Sequence, residues 1–500
     1  MAPLAVFRCD ASPGIGGGHA VRSLALAETL RESSWAVTFA GIPETIETVP
    51  AITRSGFGWV ELSGAAENEP AFLAEKFHDR CDVLIVDHYG RGDIFETACR
   101  GFAPRILSMD DTPGRTHDCD LLLDPTPGRK EDDYAALVPA QCRLLLGAQY
   151  ALLRGQFAAA REQALARRAN GSGVARILVS LGATDPTDLT GTVLRGIEQS
   201  GVPAAVDVAM GRAAPNLSKV QALAARLSFD VKVHGDVEDM AELMAAADIA
   251  IGAAGSSSFE RCCMGLPSLV VVAAENQRQV AAALEAGGAA VSLGEGTTLR
   301  PENVAAALRK LAGDETTRMK MSRQAAALCD GRGAARAAIA LAPEYVADGK
   351  DVTLRPATIA DGVIMLEWQR HPETRRFFRN SSIPTEADHL IWLKDKLADH
   401  GVLFSIVLHG KEPVGVVRLD RIARQALPAY EVSILIDPDK RGLGLGRAAL
   451  RLVMRLVPEA ELFAEVHPDN ATSHSLFLSA GFRRAGSIYR HEPLVREART

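Results

Sequence analysis

Chemistry on a neutral substrate near pH 7 needs a group that can take up a proton, and this chain offers one at the end of an unusual loop. The stretch Arg8-Cys9-Asp10-Ala11-Ser12-Pro13-Gly14-Ile15-Gly16-Gly17-Gly18-His19-Ala20-Val21-Arg22 sets four glycines within five positions ahead of a lone histidine. Glycines allow a tight turn and bring backbone N–H groups close to an oxyanion. Imidazole is the side chain best suited to accept a proton from water near neutrality. His19 is thus a candidate general base, with Gly16, Gly17, Gly18 and Arg22 as candidate substrate contacts. The same residues would also suit a phosphate loop carrying an incidental histidine.

Such a loop must be held by regular elements. Leu4-Ala5-Val6-Phe7 reads as a buried strand before it, and Ala20, Leu24, Ala27 and Leu30 recur at helical spacing after it. Up to about residue 155, short apolar strands (Val37–Phe39, Val83–Val86, Ile106–Met109, Leu121–Leu123) alternate with helical stretches, the pattern of a parallel sheet covered on both faces. Several strands end in polar residues: Asp87-His88-Tyr89-Gly90, Asp110-Asp111 and Asp124-Pro125. Ligands of open parallel sheets lie beyond the carboxyl ends of strands, so these residues should converge on the cleft that His19 lines. Asp10 and Asp87 are equally suited to orient His19 or to end a strand. His88 and His117 read as structural, and Asp110-Asp111 makes a poor metal pair without a third ligand.

After a helical, charge-rich connector from Gln156 to Gly173, a second lobe repeats the pattern with strands at Ile177–Ser180, Val206–Ala209, Val231–Val233, Ile249–Ile251 and Leu269–Val272. Within it, Ile251-Gly252-Ala253-Ala254-Gly255-Ser256-Ser257-Ser258-Phe259-Glu260 is a strand, a small-residue turn and a helix start, suited to a diphosphate. Glu260 could accept from ribose hydroxyls or cap the helix. Two lobes in tandem place a ligand in the crevice between them.

The chain has 500 residues and a net charge of −7; residues 350–500 hold 22 Lys and Arg against 19 Asp and Glu, leaving about −10 on residues 1–349. Without a basic run, nucleic acid is not expected as a partner. No signal-peptide pattern and no apolar run of membrane length are present, which predicts a cytoplasmic protein with no membrane partner. The eight cysteines show neither a CxxC pair nor metal spacing, so free thiols and no metal are expected, with Cys262-Cys263 as core packing.

The Gly/Ser turn, together with Asn276-Gln277, resembles the nucleotide-binding lobe of two-lobed UDP-sugar glycosyltransferases, notably the N-acetylglucosaminyltransferase that makes lipid II. Residues 1–341 resemble the UDP-2,4-diacetamido-2,4,6-trideoxy-β-L-altropyranose hydrolases of pseudaminic acid biosynthesis. The carriers are Arg8 and Asp10 before Gly16–His19 and Arg22, then Asp87-His88-Tyr89, Asp110-Asp111, His117–Asp120, Gly147–Arg154, Ser180–Pro186 and the Gly/Ser turn. The resemblance implies a GT-B type fold and attack of water at the anomeric carbon with inversion and loss of UDP. It makes His19 the base, Tyr89 a sugar-pocket residue and Asn276 a second-lobe contact. Asp87, Arg154, Gly255, Ser256, Glu260 and Gln277 complete the expected UDP-sugar site.

From residue 352 the pattern changes to polar/apolar alternation in Glu412–Leu419 and Tyr430–Ile436, followed by Asp437-Pro438-Asp439-Lys440-Arg441-Gly442-Leu443-Gly444-Leu445-Gly446-Arg447. This strand, loop and helix start, followed by Asn470-Ala471-Thr472-Ser473 and Gly481-Phe482, resembles the acetyl-CoA site of the GNAT acetyltransferases. The resemblance implies acetyl-CoA as co-substrate, bound by Arg441, Gly442, Leu443, Gly444, Gly446, Arg447, Asn470 and Ser473, with Glu431 as base or as an ordinary strand acid. Leu366-Glu367-Trp368-Gln369-Arg370-His371-Pro372-Glu373 is similar to the acceptor side of acetyltransferases acting on nucleotide-linked amino sugars. Where the family places a tyrosine acid, this chain has Phe477, so Ser475, His474 or Tyr489 would have to substitute, or the domain would be slow or inactive.

The expected architecture is therefore α/β: two Rossmann-like lobes (1–155 and 156–345), a linker (346–351) and a mixed-sheet GNAT domain (352–500). The expected activity is bifunctional: N-acetylation of the 4-amino group of UDP-4-amino-4,6-dideoxy-β-L-AltNAc, then hydrolysis of the product to UDP and free sugar. The competing readings are a glycosyltransferase, and a C-terminal module that only binds acyl-CoA.

Overall fold

The computed structural model describes residues 2–171, 173–235, 237–378, 382–422 and 428–493, in two compact units, Met1–Ala334 and Ala335–Thr500. No helix among the described residues is long and apolar enough to cross a membrane.

The first unit holds two parallel sheets. Strands β1 (Leu4–Cys9), β2 (Ala36–Gly41), β3 (Gly58–Glu61), β4 (Val83–Asp87), β5 (Ile106–Met109), β6 (Leu121–Asp124) and β7 (Arg143–Leu146) are ordered β3-β2-β1-β4-β5-β6-β7. Strands β8 (Arg176–Ser180), β9 (Ala205–Met210), β10 (Val231–Gly235), β11 (Ile249–Ala253), β12 (Ser268–Val272) and β13 (Val291–Glu295) are ordered β10-β9-β8-β11-β12-β13. Every residue of β4, β5, β11 and β12 is buried, as continuous Val, Ile and Leu runs require when helices cover both faces. In each sheet the chain moves outward from the first strand and then returns to its other side. That reversal opens a crevice between β1 and β4 and another between β8 and β11, at the strand ends carrying Asp87 and Ala253.

The expected connector is more than a tether. Helix α1 (Gly18–Glu32) follows the glycine loop, whereas α2 (Gly155–Ala169) buries Phe157 and Ala164 in the second-lobe core. Arg161 of α2 donates to the carbonyls of Cys263, Ala326 and Cys329, so this helix belongs to the second lobe.

The second unit is a mixed sheet of β14 (Glu344–Tyr345), β15 (Asp351–Pro356), β16 (Val402–His409), β17 (Glu412–Ile422), β18 (Ala429–Ile436), β19 (Glu461–Glu465), β20 (Arg483–Ala485) and β21 (Ile488–His491), ordered β14-β15-β16-β17-β18-β19-β21-β20. The expected linker at 346–351 is instead a hairpin turn. Tyr345 pairs with Asp351, Val346 N–H donates to the Lys350 carbonyl, and the compact unit begins at Ala335. The Gly349 φ of +79° explains why a turn forms where the composition read as a flexible tether.

Buried charge ties the first sheet's loops together. His117 lies between Glu96 (2.9 Å) and Asp110 (3.2 Å), all three buried, which agrees with its reading as structural. Burial opposes a charged imidazole, but the two carboxylates outweigh it and hold His117 up to about 9. A raised folded pKa means the stabilisation is full below the unfolded value near 6.5 and is lost as pH rises through about 9. His117→Gln should destabilise the protein by about 3 kcal/mol at pH 6. Denaturation measured from pH 6 to pH 10 should show that gap narrowing.

Candidate active site

The glycine loop closes on itself before α1 begins. Gly16, at φ +84°, donates its N–H to the Ser12 carbonyl at 2.7 Å, a left-handed position that favours glycine. Gly17 then starts α1 with no side-chain cap, which puts His19 and Arg22 on the first turn. His19 Nδ1 lies 2.6 Å from Asp87 Oδ1 at the end of β4. Arg22 grips the same carboxylate with Nε at 2.8 Å and Nη2 at 2.6 Å, while Nη1 donates to Asp111 at 2.9 Å.

Burial would raise the pKa of Asp87, but Arg22 and then His19 reverse that and hold it well below the usual carboxylate range. The ionised Asp87 draws the imidazole proton to Nδ1 and leaves the lone pair on Nε2. His19 keeps 12% side-chain exposure, with the Tyr89 ring packed edge-on at 4.8 Å. The Tyr89 hydroxyl donates to Asp111 at 2.6 Å and accepts from Asn276 of the second lobe at 2.9 Å. Burial, then Asp111, raises the Tyr89 pKa, so it stays a neutral phenol.

The second-lobe turn lies close to this constellation. A Cβ built on Gly18 would stand 3.7 Å from Ser256 Oγ, so the two loops meet in van der Waals contact. Beyond the turn, α3 (Ser257–Cys263) carries Glu260, whose pKa burial pushes up to about 7 against the pull of Arg154 and Arg261. Arg154 caps the start of α2 and donates to the Glu238 carbonyl at 3.4 Å. Gln277 accepts from Ala273 N–H at 3.0 Å and stands beside Gly255, securing the turn from the next loop.

Contacts thus join several of the expected residues: His19, Arg22, Asp87 and Tyr89 within the first lobe, Tyr89 with Asn276 of the second, Gly18 beside Ser256, and Gly255 beside Gln277. Asp10 does not orient His19. It pairs instead with Arg8 at 2.6 Å and His88 at 3.1 Å, and accepts from Ile42 N–H. Asp110 and Asp111 diverge, one toward Arg115 and His117, the other toward Arg22 and Tyr89. The sequence reading missed Asp111 as the anchor shared by Arg22 and Tyr89. It also missed Arg129, which pairs with Asp124, donates to the Asp111 carbonyl and reaches Gln279 across the cleft at 2.8 Å. Their partners lie up to 150 residues away, so no local spacing betrays them.

In the second unit, β18 pairs with β19 only from Ala429 to Glu431; the two parallel strands then part, with Glu431 at the fork. The loop after β18 leads into α4 (Leu445–Leu456), where Gly442 and Gly444 lie at φ +89° and +88° and no side chain caps the helix. Arg441 and Leu443 lie in this loop, Arg447 on the first turn of α4, and Gly446 packs close to Leu476. Asn470 caps α5 (Ala471–Ser479) by accepting from Ser473 N–H at 3.0 Å. Phe477 is buried against the ring of Tyr489, centroids 5.5 Å apart, and the Tyr489 hydroxyl bonds His474 Nδ1 at 2.7 Å. Ser475 is exposed.

Residues 351–483 match the Acetyltransferase (GNAT) domain family, and residues 171–337 match the Glycosyltransferase family 28 C-terminal domain. The first unit's two-sheet architecture has a solved counterpart in MurG of Acinetobacter baumannii: TM-score 0.52, 16% identity, over 68% of this chain and 99% of that one. This chain joins a GT-B-like fold to a GNAT fold. The GT-B-like part is similar to a UDP-2,4-diacetamido-2,4,6-trideoxy-beta-L-altropyranose hydrolase from Campylobacter jejuni, 29% identical over 243 residues, 48% of this chain and 80% of that protein. Over nearly its whole length the chain is also similar to protein MJ1062 of Methanocaldococcus jannaschii, 22% identical over 95% of this chain and 96% of that protein.

The GT-B-like cleft has a chemical signature that can be read without substrate. Nitrogen-15 NMR of the His19 ring should find the proton on Nδ1 in the wild type. Asp87→Asn, which replaces the ionised acceptor, should shift the population toward the other tautomer; an unchanged spectrum would deny Asp87 its orienting role.

Proposed function

We propose that the GT-B-like unit hydrolyses a UDP-linked diacetamido sugar of the altropyranose series, and that the GNAT unit N-acetylates its 4-amino precursor with acetyl-CoA. The observation that carries the hydrolase reading is the part-buried His19–Asp87 pair at the start of α1, the helix whose first residue, Gly18, lies beside Ser256 of the second-lobe turn. Water bound at His19 Nε2 gives up a proton to it as its oxygen attacks the anomeric carbon. The bond from that carbon to the diphosphate oxygen breaks, and UDP leaves with the electron pair from the opposite face, giving inversion. Asp87 stabilises the imidazolium that forms, and Tyr89 and Asn276 line the sugar. With the Tyr89 ring against a nearly covered imidazole, water fits as acceptor better than a bulky alcohol, which favours hydrolysis over glycosyl transfer.

In the GNAT unit, the loop Arg441–Arg447 receives the pyrophosphate of acetyl-CoA on backbone N–H groups. Pantetheine runs into the fork between β18 and β19. Glu431 accepts the proton, directly or through water, as the sugar amine attacks the thioester carbonyl; the carbon–sulfur bond then breaks and CoA leaves with the electron pair as the thiolate.

The test is to supply the 4-amino UDP-sugar and acetyl-CoA to the intact chain and follow products by mass spectrometry. Acetylated nucleotide sugar, then UDP and free diacetamido sugar, is the expected sequence; a product carrying the sugar on another acceptor would favour a glycosyltransferase. His19→Ala should slow UDP release about 10²- to 10⁴-fold while leaving acetyl transfer intact. Gly444→Ala strains a left-handed residue by about 1–2 kcal/mol, so the KM for acetyl-CoA should rise roughly tenfold without affecting hydrolysis.

A further inference from the structure

Arg261 is a buried cation that the chemistry above leaves unused. It is only 1% exposed, and its guanidinium folds back under the start of its own helix, α3. Nη2 donates to the Ala253 carbonyl at 2.7 Å and to Ser258 Oγ at 3.0 Å; Nη1 donates to Ser257 Oγ at 3.2 Å. All three acceptors are neutral, and the buried Nε has no hydrogen-bond partner among the described residues.

Three other arginines of this unit, Arg8, Arg22 and Arg161, are compensated. Arg8 lies between Asp10 and Glu69, and Arg22 between Asp87 and Asp111. Arg161 has no carboxylate, but it sits on carbonyls at the ends of α3 and of the helix Glu315–Leu328, where a cation is favoured. The Arg261 head group lies at the opposite, electropositive end of a helix, so its burial is costly in the free protein. The fold makes room for it nonetheless. A Cβ on Gly252 would lie 2.5 Å from Nη1 and 2.9 Å from Cζ, and 2.7 Å from the Ser180 carbonyl oxygen of the neighbouring strand, so only glycine fits between that strand and the guanidinium. Burial pushes the Arg261 pKa down to about 10, which still leaves it charged at neutral pH.

We propose that Arg261 is the buried counter-charge for the diphosphate seated on the turn Gly255–Ser258, acting through Ser257 as a positioning residue. Ser257 Oγ accepts from Arg261, so its own proton is free to be donated outward to a phosphate oxygen. Within the protein only the adjacent Glu260 attracts this cation, without a hydrogen bond to it; the anion adds a counter-charge reached through Ser257, and the charge tightens the grip on the leaving group as its negative charge grows. This rests on the nucleotide reading of the cleft.

Calorimetric titration of the full chain with UDP and with uridine separates the two ideas. Wild type should bind UDP more tightly than uridine. Arg261→Gln, which keeps a hydrogen-bonding amide but no charge, should weaken UDP about tenfold or more and leave uridine within twofold. Arg261→Lys, which keeps the charge, should retain most of the preference for UDP. Melting of each unliganded variant checks folding, and if Arg261→Gln does not fold, loss of the UDP preference in Arg261→Lys would overturn the proposal. Equal affinity of Arg261→Gln and wild type for UDP, or equal losses for UDP and uridine, would overturn it too. A wild type that binds neither compound would instead sink the nucleotide reading itself.

Discussion

The first unit depends on one buried carboxylate. Asp87 ends β4 at the crevice, where the strand order reverses, and it takes bonds from Arg22, His19 and Ser23, all on the first turns of α1. A carboxylate in that position would be costly if unpaired, and a single imidazole would compensate it only when protonated. Arg22 supplies a permanent charge, so compensation of the ionised Asp87 does not rest on the imidazole alone. The second carboxylate on Arg22, Asp111, then fixes the Tyr89 hydroxyl, and through it Asn276 of the other lobe. One guanidinium thus links His19, through Asp87, to Tyr89 and Asn276, through Asp111.

The fold was legible because its signal is periodic. Fully buried parallel strands read as unbroken apolar runs, and the strands not foreseen lie at sheet edges: β3 and β13, half-buried and without such a run, and the four-residue β7. The linker failed for a different reason. Ala342–Lys350 has the composition of a tether, yet a two-residue strand needs no hydrophobic pattern of its own when a neighbour such as β15 supplies the pairing. Composition reports what a segment would do alone, and pairing is decided by its partner.

For the site, residue type was legible and partnership was not. His19, Tyr89 and Asn276 could be named in advance, but Asp10 and Asp87 were indistinguishable as strand-end acids. They are separated by which cation each meets: Arg8, anchored by Glu69, draws Asp10 away, and Arg22, one helical turn from His19, draws Asp87 in. Arg261 was overlooked because an arginine one residue after Glu260 reads as an exposed helix face. Only its inward rotamer, and the glycine that makes space for it, mark it out.

Phe477 raises the question of whether acetyl transfer can proceed without a phenol to protonate the departing sulfur. The nearest phenol, Tyr489, is wholly buried and already engaged with His474, so it does not replace a tyrosine at 477 in a straightforward way. The demand for a proton is modest, however. An alkyl thiol ionises near pH 8.5, so expelling it as thiolate at pH 7 costs about 2 kcal/mol relative to expelling the thiol, roughly a tenfold to thirtyfold effect on rate. An amine acceptor, by contrast, must lose its proton before it can attack, and the Glu431 fork lies where that proton would be taken. If the unit acetylates an amine as proposed, the absence of a phenol at 477 moves the burden of the reaction onto deprotonating the nucleophile, and costs rate rather than forbidding the step.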